Sequence, residues 1–267
     1  MMEITLIQGL LLSLVALICG LDFWLEALFI FRPMIVCTLT GLVLGDLQLG
    51  LTAAAITELA FAGLTPAGGT QPPNPILAGV MTVVIAYTTN TNPAIAIGLS
   101  LPFSFLMQYI ILFFYSTFSF FMPRAEKYAD EADTAAFVRL NILTTSIVVF
   151  SYAIVVFLSA YLAQDLMRNL VNSMPVWLTH GFEVAGGVLP AIGFAMLLKV
   201  MLKAQYASYL IIGFVAASFI PFGNILPVAV IGVALALYEF FKDKEEKAKI
   251  SRAIRESDRN GGGRGGI

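Results

Sequence analysis

Residues 57–75 read TELAFAGLTPAGGTQPPNP, from Thr57 to Pro75. Glu58 opens the stretch, a knot of Gly, Pro, Thr, Gln and Asn closes it, and no charged residue stands between Leu59 and Pro123. A loop in water normally carries charge. A loop in lipid leaves backbone groups unsatisfied, at several kcal/mol each. A segment rich in turn formers yet free of charge avoids both when it is re-entrant, buried in protein and lining a cavity. Pro72 and Pro73 prevent a continuous helix and remove two donors, and Gly68 and Gly69 allow close backbone approach. Thr70, Gln71 and Asn74 supply neutral donors and acceptors, and Glu58 supplies a carboxylate.

The rest of the chain fits a bilayer setting for that loop. Of 267 residues, 59% are hydrophobic and 12% charged, against about a quarter charged in an ordinary soluble domain. Further uncharged windows run from Leu140 to Gln164 and from Ala204 to Tyr238. A spanning helix needs roughly 20 apolar residues, so the class is an all-α polytopic membrane protein. The opening MMEITLIQGLLLSLVALICG carries Glu3 and no basic residue, and no small-residue cleavage pattern follows. It reads as a retained first span. Cys19 and Cys37 lie in apolar surroundings without metal-ligand spacing and read as buried packing residues; no metal or cofactor is expected.

Spans are predicted near residues 4–20, 34–56, 76–88, 94–122, 142–163, 184–202, 205–221 and 224–241, about eight segments with re-entrant hairpin loops. LDFWLEALFIFRP, between the first two, reads as an interfacial or half-crossing helix, with Trp24 and the Phe cluster as an aromatic belt. Gly41 and Gly45 form a small-xxx-small packing pattern. PRAEKYADEADTAAFVRLN, residues 123–141, suits a short surface helix. In residues 164–182 the spacing of Leu166, Met167, Leu170 and Val171 predicts a helix with one apolar face, interrupted at Pro175. Residues 1–241 form one transmembrane domain. Residues 242–267, charged and then Gly-rich, form a tail that frays into disorder; they hold eight of the 15 Lys and Arg, which places them on the cytoplasmic side.

Glu58 with the loop's amides and hydroxyl makes a site for a neutral, hydroxyl-rich solute. An inorganic anion would want basic residues, and none is near; a metal would want more carboxylates. The alternative is a loop that caps a bundle, with Glu58 paired elsewhere. A second candidate segment, WLTHGFEVAGGVLPAIG, holds the only histidine, His180, three residues before Glu183, with Gly186, Gly187 and Pro190 expected to break a helix. His180 and Glu183 read either as interfacial or core residues or as facing the same cavity as Glu58. H-x-x-E alone is too few ligands for zinc. Paired broken segments are the pattern around a transport site. No G-x-x-x-x-G-K-[ST] loop is present, so energy comes from an ion gradient or from another polypeptide. Three functions stay open: a group-translocating sugar carrier, an ion-coupled secondary sugar transporter using Glu58 or Asp22, and an intramembrane hydrolase built on His180 and Glu183.

FRPMIVCTLTGLVLGD, TELAFAGLTPAGGTQPPNP and HGFEVAGGVLPAIGFAMLLKVM, in that order, resemble the enzyme IIC component of the mannose class of bacterial phosphotransferase systems, over essentially the whole chain to about Phe241. LDFWLEALFIFRP and LTPAGGTQPPNP carry a narrower resemblance, to the N-acetylgalactosamine and galactosamine carriers. The resemblance implies a carrier of the bacterial cytoplasmic membrane with a mobile core against a scaffold. It takes sugar from outside and delivers it to a cytoplasmic IIB subunit, which phosphorylates it; the carrier itself is not an enzyme. It also implies a IID membrane subunit, an upstream IIA phosphoryl carrier and an oligomeric assembly, without nucleic acid. Its sugar site would fall on Glu58, Gly69, Thr70, Gln71 and Asn74, with Gln8 and Asp22 as secondary positions beside His180 and Glu183. Many members carry Asp where this chain has Asn74, so a role that needs a carboxylate there does not transfer.

Overall fold

A helix apolar on every side is stable only when surrounded, and residues 76–86, IleLeuAlaGlyValMetThrValValIleAla, are all buried. They form the middle of α4, Pro75–Thr89, the central helix of the first of two compact units, Met1–Val200. The computed structural model describes residues 3–64, 72–203, 206–220 and 226–261. Among them every regular element is helical. Around α4 lie α1 (Leu6–Leu25), α2 (Pro33–Leu44), α3 (Leu47–Phe61), α5 (Pro93–Phe118), α6 (Met122–Asp130), α7 (Thr134–Phe157), α8 (Gln164–Asn172) and α9 (Val176–Met201). α7 runs into one π-helical stretch, Leu158–Leu162. Among the described residues, four helical stretches are long and apolar enough to cross a membrane: Leu6–Leu25, Pro93–Asp130, Thr134–Leu162 and Val176–Lys199.

The expected span at 34–56 is instead two helices. Gly45 adopts φ +83°, and Asp46 caps α3 by accepting from the Leu49 amide at 2.9 Å. The chain therefore reverses within two residues. At 1.5 Å per residue, the 12 residues of α2 and 15 of α3 reach about 18 and 22 Å, short of a bilayer core of about 30 Å. Gly41 and Gly50 bring the antiparallel pair into backbone contact: a Cβ on Gly41 would lie 2.6 Å from the Gly50 Cα. Gly41→Ala is expected to cost about 2 kcal/mol by forcing the pair apart, read as a lower apparent Tm of the solubilised protein.

LDFWLEALFIFRP is not a half-crossing helix. Its first five residues complete α1, and residues 26–32 form a loop. The cause is Asp22, buried on α1, whose carboxylate accepts from the amides of Leu28 at 2.6 Å and Ile30 at 2.7 Å. Those bonds satisfy the loop backbone as a helix would have done. α9 is likewise continuous through Gly186, Gly187 and Pro190, where a break was expected. Its glycines serve packing: a Cβ on Gly193 would lie 2.6 Å from the Leu59 carbonyl oxygen, and Gly186 lies against the Ala94 carbonyl.

The surface helix expected over residues 123–141 is shorter: α6 is exposed and ends at Asp130, and the residues from Thr134 onward open the long α7. α8 ends before Pro175 as expected; of its expected apolar face Val171 is in the core and Leu166 is exposed, while the side chains of Met167 and Leu170 lie outside the described residues. Cys19 and Cys37 are buried free thiols that donate weakly to the carbonyls of Ile30 and Gly79. In the second unit, Met201–Ile267, α10 (Ala207–Phe219) meets α11 (Leu226–Gly261) through the Tyr209 hydroxyl, which donates to Glu239 at 2.8 Å. α11 carries its helix through the charged stretch to Gly261.

Candidate sugar-binding cavity

The open end of the α2–α3 pair meets the end of α1, the start of α4 and the second half of α5 around a cavity of about 340 Å³. That volume lies at the lower end of the range for small-molecule sites. Its walls are largely aromatic. Trp24 and Tyr115 lie 5.7 Å apart at a tilt of 31°, and Phe23 meets Phe31 edge-on at 5.0 Å. Pro33 starts α2, and Pro72, Pro73 and Pro75 lead into α4; all four border the space. Besides the polar groups of Trp24 and Tyr115, the side chains of Glu26, Arg32 and Gln108 bring polarity to it.

Arg32 is held from behind. Its Nε donates to Glu58 Oε1 at 2.8 Å, and Nη2 donates to the same oxygen. The second oxygen, Oε2, accepts from the Met34 amide at 3.0 Å. Met34 lies in the first turn of α2, where amides lack intrahelical partners, and no side chain of α2's own N-cap serves them. Glu58 therefore caps α2 from α3 while fixing the guanidinium. Nη1 has no partner among the described residues. Both side chains are partly buried, and their charges cancel. The expectation that no basic residue stands near Glu58 is thus corrected: Arg32, 26 positions back, is bonded to it.

The other expected site residues divide. Glu58 lies one layer behind the cavity wall, as Arg32's partner. Gly69, Thr70 and Gln71 lie outside the described residues; Leu64 and Pro72, on either side of that stretch, both line the cavity. Asn74 is fully buried, and it does not border the space. Its Oδ1 accepts from the Ile76 and Leu77 amides, each at 3.1 Å, and its Nδ2 donates to the Tyr152 hydroxyl at 2.6 Å. Gln8 forms a capping box with Thr5 at the start of α1. Asp22 is occupied by the loop amides described above. His180 and Glu183 face each other at 3.4 Å on an exposed stretch of α9, away from the cavity lining. No group of three or more His, Cys, Asp or Glu able to hold a metal occurs among the described residues.

Arg32, Trp24, Gln108, Tyr115 and Glu26 were not singled out from sequence as site residues. Arg32 left a signal. It is the only basic residue before Arg124, and between residues 27 and 123 the only carboxylates are Asp46 and Glu58. A reversal at Gly45–Asp46 sets residue 58 level with residue 34, each 12 positions from Asp46.

The family model described as "PTS system sorbose-specific iic component" matches residues 6–238. Over 247 residues the chain is 63% identical to the N-acetylgalactosamine permease IIC component 1 of Escherichia coli K12, covering 92% of each protein. With the sorbose-specific EIIC component of Klebsiella pneumoniae it shares 27% identity over 237 residues, 88% of this chain and 89% of that one. A solved structure described as "Structure of membrane protein" superposes with a TM-score of 0.81 at 27% identity, covering 89% of this chain and 96% of the other. The cryoEM structure of the mannose transporter ManYZ with microcin E492 gives 0.55 at 27% identity, covering 90% and 96%. The family match takes in every helix that frames the cavity, and with it the chain belongs to the sorbose-type IIC components, the membrane sugar permeases of the phosphotransferase system.

Proposed function

We propose that the aromatic cavity binds a hexosamine-type sugar, N-acetylgalactosamine or galactosamine, and that the chain carries it across the bacterial cytoplasmic membrane for phosphorylation by a partner IIB subunit. The observation that carries this reading is a guanidinium locked by a carboxylate at the edge of a cavity walled by Trp24, Tyr115 and Phe23. A pyranose has faces of C–H bonds that lie against aromatic rings and a rim of hydroxyls that bond to fixed donors and acceptors. Arg32 and Gln108 supply those groups, and the 63% identity to an N-acetylgalactosamine permease component favours the hexosamine.

The half-length α2–α3 pair acts as a re-entrant hairpin in a core that shifts against a scaffold. A IID subunit completes the carrier, phosphate reaches IIB through IIA, the assembly is oligomeric, and the basic tail lies in the cytoplasm. Gly69, Thr70 and Gln71 contribute to the sugar site from between Leu64 and Pro72, while Glu58 and Asn74 act through the groups they hold. The exposed place of His180 and Glu183 gives a hydrolase no enclosed site.

Equilibrium binding of radiolabelled N-acetylgalactosamine to the purified complex tests the cavity. Trp24→Ala is expected to weaken it about tenfold, the scale of one lost aromatic contact. Unchanged affinity would remove the cavity from consideration.

A further inference from the structure

Charge bookkeeping around the cavity leaves one side chain over. Arg32 and Glu58 neutralise each other, and Gln108 is neutral. Glu26 lines the same space, and its carboxylate has no hydrogen-bond or ion-pair partner among the described residues. Among the described residues that line it, the cavity therefore carries a net negative charge, owed to Glu26.

Its place is held by the fold rather than by chance of exposure. Glu26 is the C-cap of α1 in the left-handed conformation, φ +49° and ψ +40°, with its amide donating to the Asp22 carbonyl at 2.7 Å. A side chain there is strained, and a strained position persists only where its surroundings over-determine it. Asp22 does so, binding the amides two and four residues beyond Glu26. The carboxylate thus lines the cavity from a pinned loop, and the guanidinium that lines the same cavity is already neutralised.

We infer that Glu26 is the specificity-determining residue that lets this permease take a 2-amino-2-deoxy hexose in its protonated form, by pairing with the sugar's ammonium group. An N-acetylated sugar has no charge to offer and relies on the aromatic walls, Arg32 and Gln108. The same carboxylate repels the phosphorylated product, whose negative charge the Arg32–Glu58 pair does not offset. This assignment rests on the cavity being the sugar site.

The test measures competition by galactosamine and by N-acetylgalactosamine against a radiolabelled sugar, on the purified complex, in Glu26→Gln and in Trp24→Ala. Glu26→Gln is expected to weaken galactosamine about fivefold, the upper end of the scale for one exposed ion pair, and to leave N-acetylgalactosamine within about twofold. The galactosamine advantage of the unmodified protein is expected to shrink at high salt, because the pairing is screened. If Glu26→Gln leaves the ratio of the two sugars unchanged while Trp24→Ala weakens both, the cavity stands and Glu26 is not the selector. If Trp24→Ala moves neither sugar, the cavity itself is not the site and the assignment to Glu26 goes with it.

Discussion

In an Arg32→Leu variant, sugar uptake is expected to fall about a hundredfold. Arg32 offers its remaining donors to the cavity, and a hydrogen bond from a charged donor is worth about 1.5–3 kcal/mol, or roughly 10- to 150-fold in affinity. The substitution also strands Glu58, whose Oε1 loses both of its Arg32 bonds while Oε2 still holds the Met34 amide. A partly buried carboxylate without its cation destabilises the hairpin, so the single variant should lose stability together with uptake. Those two losses can be separated. In the double variant Arg32→Leu/Glu58→Leu no charge is stranded, and replacing an ion pair by apolar side chains is often neutral. Stability should largely return, whereas uptake should not. Recovery of both would make the pair a clasp on the hairpin with no part in holding sugar.

That experiment bears on why Glu58 was legible in the sequence while its role was not. A lone carboxylate beside a Gly/Pro-rich loop in an uncharged stretch marks a costly, functional position. The sequence does not say what faces it. That depends on the reversal at Gly45–Asp46, and a run such as PMIVCTLTGLVLGDLQLGLTAAAIT is apolar enough to pass for one span. Length decided wrongly there, because a hairpin of two short helices and one long helix bury similar residues. Gly45 and a following Asp, a C-cap and an N-cap in succession, were the local signal. The same logic applies to residues 21–33. Acidic and aromatic residues there suggested an interface, but Asp22 turns inward to bond the loop, and the aromatic side chains then wall a cavity. Helix existence and the apolar class were readable from composition and period. Which polar side chains turn inward depended on tertiary contacts across 6 to 78 positions, from Asp22–Leu28 to Asn74–Tyr152, which no local pattern carries.

Asn74→Ala should cost about 3 kcal/mol of stability, the larger of the effects expected from packing. The residue joins three helices. Its Oδ1 caps α4, its backbone carbonyl accepts from the Ser104 hydroxyl of α5 at 2.6 Å, and its Nδ2 donates to Tyr152 of α7. Alanine removes the cap, worth about 1 kcal/mol, and leaves the buried Tyr152 hydroxyl without its partner, worth about 1–3 more. Asn74→Asp should behave otherwise. A carboxylate keeps the acceptor for the Ile76 and Leu77 amides and favours the N-terminus of α4. Tyr152 need only reverse its part, donating where it had accepted. Uptake in Asn74→Asp is therefore expected to stay within about twofold, with apparent Tm near that of the parent protein. Tyr152→Phe separates the two backgrounds. With Asn74 it leaves one amide hydrogen unserved, at about 1 kcal/mol; with Asp at 74 it leaves a buried carboxylate without its donor, and the loss should exceed the sum of the single changes. Additive losses would mean that the hydroxyl does not serve the residue at position 74, and that the joint between α4 and α7 is held by packing of the ring alone.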